Sequence, residues 1–279
     1  MITFSDCKIN LGLYVTSRRP DGYHNVETIM YPIDWYDVIE VIRAPGEGSS
    51  LEIFGRAVDC PVEKNLVFKA LRALEAYTGR KLDAAIKLQK IIPDGAGLGG
   101  GSADAAFTLK VLNQVHSLNL SDDILARIAS KIGADCTFFI YDRPALCTGI
   151  GTTLDHNVSV DLSPYSILIA KPKVAAVSTR DAYAAITPRD GRTPLSEIIS
   201  QPISTWRTAL VNDFEPGIIA RLPRVGQVKE QMYRCGALYA SMSGSGASVY
   251  GIFESDKLAR EAADTLADCD CHISPSPTE

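Results

Sequence analysis

Five of the seven residues from Gly95 to Gly101 are glycine, in a chain with 21 glycines among 279 residues. At that density a seven-residue window holds about half of one. Glycine keeps side chains out of the way and admits positive φ, so backbone N–H groups of such a stretch can converge on one ligand. The stretch lies between a strand-like run, Ala84 to Ile92, and a helix-like one, Ala103 to His116. Loop amides and a helix N-terminus together favour an anion, so the chemistry suggested is a phosphate cradle. Regular structure tight on both sides argues against a flexible linker.

Several kinds of phosphate loop can be compared with it. A Walker A loop requires Lys after its last glycine, and here Ser102 follows Gly101. Residues 95–100 match G-x-G-x-x-G, which keeps a nicotinamide-dependent oxidoreductase open. That reading wants an acidic residue at a strand end about twenty residues on, where Leu118 to Asp123 reads as an interhelical loop and helix start. The protein-kinase version lacks its H-R-D and D-F-G partners.

The elements that must position this loop follow from periodicity. Residues 7–15 alternate, with Ile9, Leu11, Leu13 and Val15 on one face and Lys8, Asn10, Gly12 and Tyr14 on the other. The pattern predicts a half-buried strand on which Lys8 and Asn10 point the same way. After the turn Pro20-Asp21-Gly22, strands are predicted at Val26–Ile33, Val38–Ile42 and Leu51–Phe54. A helix over 65–78 closes at Gly79. Ser121 is predicted to cap a helix in which Ile124, Ile128 and Ile132 recur until Gly133, and Cys136 to Tyr141 reads as a strand. The polar stretch 155–164 suggests a lobe boundary, giving lobes 1–157 and 158–279. In the second lobe, strands are predicted at 166–171 and 248–253. Helices are predicted at 179–186, 206–221, 224–236 and 257–266, and a Gly/Ser loop at 243–246. The class is α+β in two lobes.

Composition narrows the partners. Hydrophobic residues make up 46% and charged residues 22%, which excludes disorder, collagen and coiled coil. A net charge of −5 argues against DNA or an anionic membrane as partner but leaves a polyanionic small molecule open. Asp6 and Lys8 interrupt any secretory signal, and the uncharged stretch 235–253 holds too many Ser and Gly for a membrane span. Seven scattered cysteines fit reduced thiols and a cytoplasmic protein. Cys269, Cys271 and His272 cluster, but no second ligand pair stands at zinc spacing.

PDGAGLGGGSADAA, residues 93–106, resembles the ATP-phosphate motif of the galactokinase, homoserine kinase, mevalonate kinase and phosphomevalonate kinase (GHMP) superfamily. ASMSGSGASVYGIF, 240–253, resembles its C-terminal glycine motif. Residues 8–42 resemble the N-terminal signature of the 4-diphosphocytidyl-2-C-methyl-D-erythritol kinase family, which acts in the non-mevalonate isoprenoid pathway. GADCTFFI (133–140), VSTRDAY (177–183) and NDFEP (212–216) are similar to the same family. The resemblance covers nearly the whole chain. Two departures stand out: Ala103 where the family usually has a second serine, and Cys136-Thr137 where it often has Val-Pro or Cys-Pro.

The resemblance implies a two-lobed GHMP-type kinase fold with the active site in the interlobe cleft, and ATP with Mg²⁺ as cofactors. It implies Lys8 and Asp135 as the catalytic pair, the lysine as cation near the γ-phosphate and the aspartate as base toward the acceptor hydroxyl. Pro93, Asp94, Gly95, Ala96, Gly97, Leu98, Gly99, Gly100, Gly101, Ser102 and Ala103 would hold ATP phosphates, with Asn65 on the adenine side. Tyr23, His24 and Tyr183 would hold the cytidine of the substrate, 4-diphosphocytidyl-2-C-methyl-D-erythritol, by stacking and edge recognition. Asn10, Thr179, Ser243, Gly244, Ser245 and Gly246 would face the acceptor and its phosphates. A homoserine or mevalonate kinase, which has no base to stack, and a non-catalytic nucleotide-binding relative are the alternatives within the fold.

Overall fold

The structure, a computed structural model, describes residues 1–173 and 177–276. Apolar and β-branched residues at alternate positions drive two long strands, β1 (Ile2–Arg18) and β2 (His24–Arg43), which pair with each other. The turn between them closes through Gly22 N donating to Arg19 O (3.1 Å). Then follow β3 (Ser50–Gly55), α1 (Leu66–Thr78), β4 (Ala84–Lys90), α2 (Gly100–Val115), α3 (Asp122–Ala129) and α4 (Cys136–Tyr141). The chain continues through β5 (Ala145–Thr148), β6 (Thr153–Asp155), β7 (Ser166–Pro172), α5 (Thr179–Ala184), α6 (Leu195–Ile199) and α7 (Trp206–Ala209). It ends with α8 (Glu215–Arg221), α9 (Pro223–Arg234), β8 (Tyr239–Met242), β9 (Val249–Phe253), α10 (Asp256–Asp264) and β10 (Cys269–Ser274).

These elements form two compact units. The first comprises Met1–Cys7, Asp34–Asp94 and Gly99–Arg143, and the second Lys8–Ile33, Gly95–Leu98 and the chain from Pro144 onward. In the first, β4 lies between β2, antiparallel from Val38↔Gln89 to Arg43↔Ala84, and β3, parallel from Ser50↔Ala85 to Gly55↔Lys90. Helices α1 and α3 pack on each other and on α2, and α4 packs on α2 and α3. Phe68, Leu71, Leu109, Leu112, Phe138 and Phe139 are buried here. Gly79, at φ 65°, ends α1 as its sequence position suggests.

In the second unit the strands run β10-β7-β9-β8, each antiparallel to its neighbour. Its core gathers Leu13 and Val15 of β1, Leu168 of β7, Phe214 at the N-cap of α8 and Ile218 within it, Val228 and Met232 of α9, and Val249 and Phe253 of β9. Among the described residues no helix is long and apolar enough to cross a membrane.

Four expectations change. Cys136–Tyr141 is the helix α4 and not a strand: Cys136 to Ile140 are all buried, so the segment shows neither period. β1 is buried on both faces from Ser5 to Val15, so it is not half-exposed. The strands predicted at 26–33 and 38–42 are one continuous strand, β2. The helix expected over 206–221 is broken at 210–214, where the chain pairs with β1: Leu13 N donates to Val211 O and Asp213 N to Leu13 O, both at 2.9 Å. Ser121 does occupy the N-cap of α3, but its hydroxyl makes no cap bond. β5, β6, β8 and β10 go unpredicted: the first three have only three or four residues, and β10 is interrupted by polar residues.

Candidate active site

Strand β1 carries two polar side chains into the buried interior of the second unit. Lys8 and Asn10 share a face, as the alternation requires, at 3% and 1% exposure. The Lys8 ammonium donates to Asn10 Oδ1 and to Gly97 O (2.9 Å). Asn10 is itself oriented: its Nδ2 donates to Thr28 Oγ1 (2.9 Å), whose hydroxyl donates to Gly12 O (2.6 Å). The amide therefore keeps its oxygen toward the cation.

The first half of the glycine loop is held by its backbone. Lys8 N donates to Leu98 O (2.9 Å), Ser248 N to Ala96 O (3.1 Å) and Ser243 Oγ to Gly97 O (2.9 Å). Ala96 and Leu98 bury their side chains between glycines. Gly97 has φ 77°, and a Cβ there would lie 2.1 Å from Ser243 O. Gly244 mirrors it, since its own Cβ would lie 2.9 Å from Gly97 O. The two glycine-rich loops thus approach backbone to backbone, which no other residue type allows. Ser243 is fully buried and its hydroxyl ties the loops together, while Ser245 Oγ lies 3.0 Å from Thr179 Oγ1 at the start of α5. Gly246, at φ 93°, completes that turn.

The second half of the glycine stretch belongs to the first unit and is already helix. Gly99 (φ 74°) is the N-cap of α2, so Gly100, Gly101, Ser102 and Ala103 form its first turn, earlier than the apolar periodicity indicates. Small residues there leave the orphan N–H groups of the helix end unshielded. Ser102 Oγ stands 3.7 Å, and Cys136 Sγ 3.1 Å, from the point where a Cβ on Gly133 would sit. Ser102 is therefore beside the turn that carries Asp135. Asp135 holds the N-cap position of α4, yet its carboxylate makes no cap bond to that helix. Pro93 is buried, and Asp94 and Gly95 are exposed. Asn65 is the N-cap of α1, its Oδ1 accepting from Val67 N (2.9 Å), a capping duty that accounts for its side-chain oxygen.

An ion network that sequence reasoning missed fixes both ends of this segment. The buried Lys90 ammonium donates to Asp37 and to Asp104 Oδ2 (2.9 Å). Asp37 Oδ1 accepts from Ile91 N and Ile92 N (2.5 and 2.8 Å), just before the glycines. Asp104, just after them in α2, accepts from Ser5 Oγ (2.7 Å). Burial opposes the Lys90 charge, but the two carboxylates hold its pKa above the ordinary lysine value. Burial pushes Asp104 up to about 7, with Lys90 pulling it down. The signal was there: Lys90 shares parity with the buried Ala84, Ile86 and Leu88 of β4, and a cation on an apolar face must be paired.

Tyr23, His24, Tyr183 and Phe214 all lie in the second unit. His24 stacks directly on Tyr183, with ring centroids 5.2 Å apart and planes at 27°. Tyr183 meets Phe214 edge to face at 4.8 Å. Tyr23 stands 63% exposed. The NDFEP segment supports these parts from below. Asn212 Nδ2 donates to Met242 O and Gly244 O (2.8 and 2.9 Å), and Glu215 accepts from Met242 N (3.0 Å), so both hold the second glycine loop. Phe214 N donates to Asn212 Oδ1 (2.9 Å), which sets the ring that backs Tyr183.

Comparison with known proteins gives the family. The family GHMP kinases N terminal domain matches residues 65–143, and GHMP kinases C terminal matches 195–269. The 4-diphosphocytidyl-2-C-methyl-D-erythritol kinase of Parabacteroides distasonis is 48% identical over 96% of this chain and 97% of its own. That of Bacteroides thetaiotaomicron is 46% identical over 91% and 92%. A crystal structure of 4-(cytidine 5'-diphospho)-2C-methyl-D-erythritol kinase superposes with a TM-score of 0.83 at 30% identity, covering 98% of both chains. The mevalonate kinase of Methanococcus jannaschii shares the fold at a TM-score of 0.71 and 14% identity, covering 98% of this chain and 96% of its own. The glycine loops, the buried lysine and these relatives together establish that the chain belongs to the 4-diphosphocytidyl-2-C-methyl-D-erythritol kinase family of the GHMP kinases.

Proposed function

We propose that this enzyme transfers the γ-phosphoryl group of ATP to the 2-hydroxyl of 4-diphosphocytidyl-2-C-methyl-D-erythritol, in the cytoplasm. The observation that carries the reading is the Lys8 ammonium fixed on the carbonyl of Gly97, inside a loop rich in glycine. Phosphoryl transfer is mainly positioning and charge neutralisation, and a buried cation held at a phosphate loop supplies both without reorganising. Residues 95–103 hold the triphosphate through backbone N–H groups and the Ser102 hydroxyl. Ser102 alone does so, because Ala103 has no second hydroxyl to offer.

Asp135 accepts the proton of the attacking hydroxyl, and Asn10 orients that end of the substrate. Tyr23, His24 and Tyr183 bind the cytosine by face and edge, with Thr179 and Ser245 near the sugar and phosphates. Ser102 and Asp135 are hard oxygen donors and fit Mg²⁺, which takes one or two protein oxygens and fills the rest from phosphates and water. When bound, the ion neutralises charge on the triphosphate.

The test is Mg²⁺- and ATP-dependent ADP release with 4-diphosphocytidyl-2-C-methyl-D-erythritol, beside homoserine and mevalonate. Turnover with the cytidylyl substrate alone is expected. Turnover of a control with silence toward the cytidylyl compound would discard the substrate assignment and keep the phosphoryl-transfer chemistry.

A further inference from the structure

The second unit contains a cavity of 510 Å³ that none of the assigned roles uses. It is lined by α5, by the loop after it, and by the NDFEP segment running into α8. Its charge is one-sided. Arg189, Arg192 and Arg221 line it against the single carboxylate of Asp213, a net charge of +2 among the lining residues. Phe214, Pro216, Ile218 and Ile186 supply an apolar wall.

The three arginines do different jobs. Arg192 is structural: its guanidinium grips both Asp213 oxygens (2.7 and 2.8 Å), donates to Arg189 O (3.2 Å) and lies 3.6 Å over the Tyr14 ring. Arg189 is fixed at its backbone, where its N donates to Val15 O (2.9 Å), and Arg221 stands in the last turn of α8. Among the described residues neither Arg189 nor Arg221 makes an ion pair. Two arginines without an ion pair among the described residues thus line a concave site whose other wall is apolar.

We infer that this cavity binds a small phosphate ester, with the phosphate on Arg189 and Arg221 and an apolar group against Phe214 and Ile218. The volume suits a compact metabolite and is too small for a polymer segment. The planar guanidinium fork matches phosphate oxygens, and an excess of two positive charges matches a phosphate dianion better than a carboxylate.

Phenyl phosphate is a probe with both halves. Calorimetric titration is done on the full chain saturated with Mg²⁺ and a non-hydrolysable ATP analogue, so that the glycine loop is occupied. One binding site is expected, weakened at least tenfold in Arg189→Ala/Arg221→Ala and unchanged within twofold in Lys8→Ala. Both arginines are exposed, so the double variant should keep its fold, which thermal melting checks. Gly217 also lines the cavity, and a Cβ there meets no atom within 4 Å, so Gly217→Leu should fill the space and abolish binding. Inorganic phosphate, lacking the apolar half, should bind at least fivefold more weakly than phenyl phosphate. The inference is overturned by no detectable binding, by equal affinity in the double variant, or by loss in Lys8→Ala, which would place the probe in the active site. Phenyl phosphate binding no tighter than inorganic phosphate would remove the apolar contact.

Discussion

Around Gly97 position is set by backbone and buried charge, whereas around Tyr183 it is set by side-chain faces near the surface. The first region is tightly packed: Lys8, Asn10 and Ser243 are buried, and a Cβ on Gly97 would lie 2.1 Å from Ser243 O. The second is open, with Tyr23 63% exposed and His24 resting on Tyr183. The difference fits what the proposed function asks of each region. A phosphate is read by charge and by N–H direction, and both lose strength steeply with small displacements in a dry site. A nucleobase is read largely by its face, and stacking tolerates tilt and slide. Rigidity is therefore concentrated where charge is handled.

The sharpest way to break this contrast is Gly97→Ala. Its Cβ would sit 2.1 Å from a backbone carbonyl, so one loop must move. A fall in kcat/KM of about a thousandfold, or ~4 kcal/mol, is expected in steady-state kinetics. A loss under tenfold would mean the loop is not rigid. Next in size is Lys90→Met, which leaves Asp37 and Asp104 buried without their cation. Denaturant unfolding should show a loss of about 3–5 kcal/mol. Lys90→Met/Asp104→Asn should recover part of it, and no recovery would show that the lysine acts by packing alone.

Tyr183→Ala tests the permissive region. Losing one stacking face should raise KM for the cytidylyl substrate about 10- to 50-fold, with KM for ATP within about twofold. An equal loss for ATP would show that the two regions are not separable.

A last prediction concerns a second pair of acids in the first unit. Burial and the neighbouring Asp142 push the Asp6 carboxyl from 3.8 up to about 9, while Lys110 pulls it down. Such a group binds its proton more tightly folded than unfolded. It therefore supports the fold fully below about 3.8 and loses that support as pH rises toward 9. Unfolding free energy is expected to fall by about 3 kcal/mol between pH 6 and pH 8.5, and Asp6→Asn should flatten that slope. An unchanged slope would remove Asp6 as its source. Asp104, with Lys90 between it and Asp37, is pushed up only to about 7, which shows what an interposed cation does.

Much of the site was legible because its signals are local. Glycine density marks a loop that needs bare backbone, and strict alternation by itself puts Lys8 and Asn10 on one face. The same logic applied to β4 would have exposed Lys90, had its parity with Ile86 and Leu88 been used. Other features left no local trace. α4 is buried continuously from Cys136 to Ile140, so no period distinguishes a helix from a strand there. The break at 210–214 depends on β1 pairing with it from two hundred residues away in sequence.

What the sequence determined by itself is the family, the glycine-rich loop and the shared face of Lys8 and Asn10, because each requires particular side chains, or their absence, at fixed spacing. The tertiary structure alone decided that Gly97 and Gly244 meet, that Lys90 holds Asp37 and Asp104, that His24 lies on Tyr183, and that three arginines share a cavity. Each of these joins segments far apart in the chain, and long-range pairing is set by packing of the whole fold, which no local pattern of residues encodes.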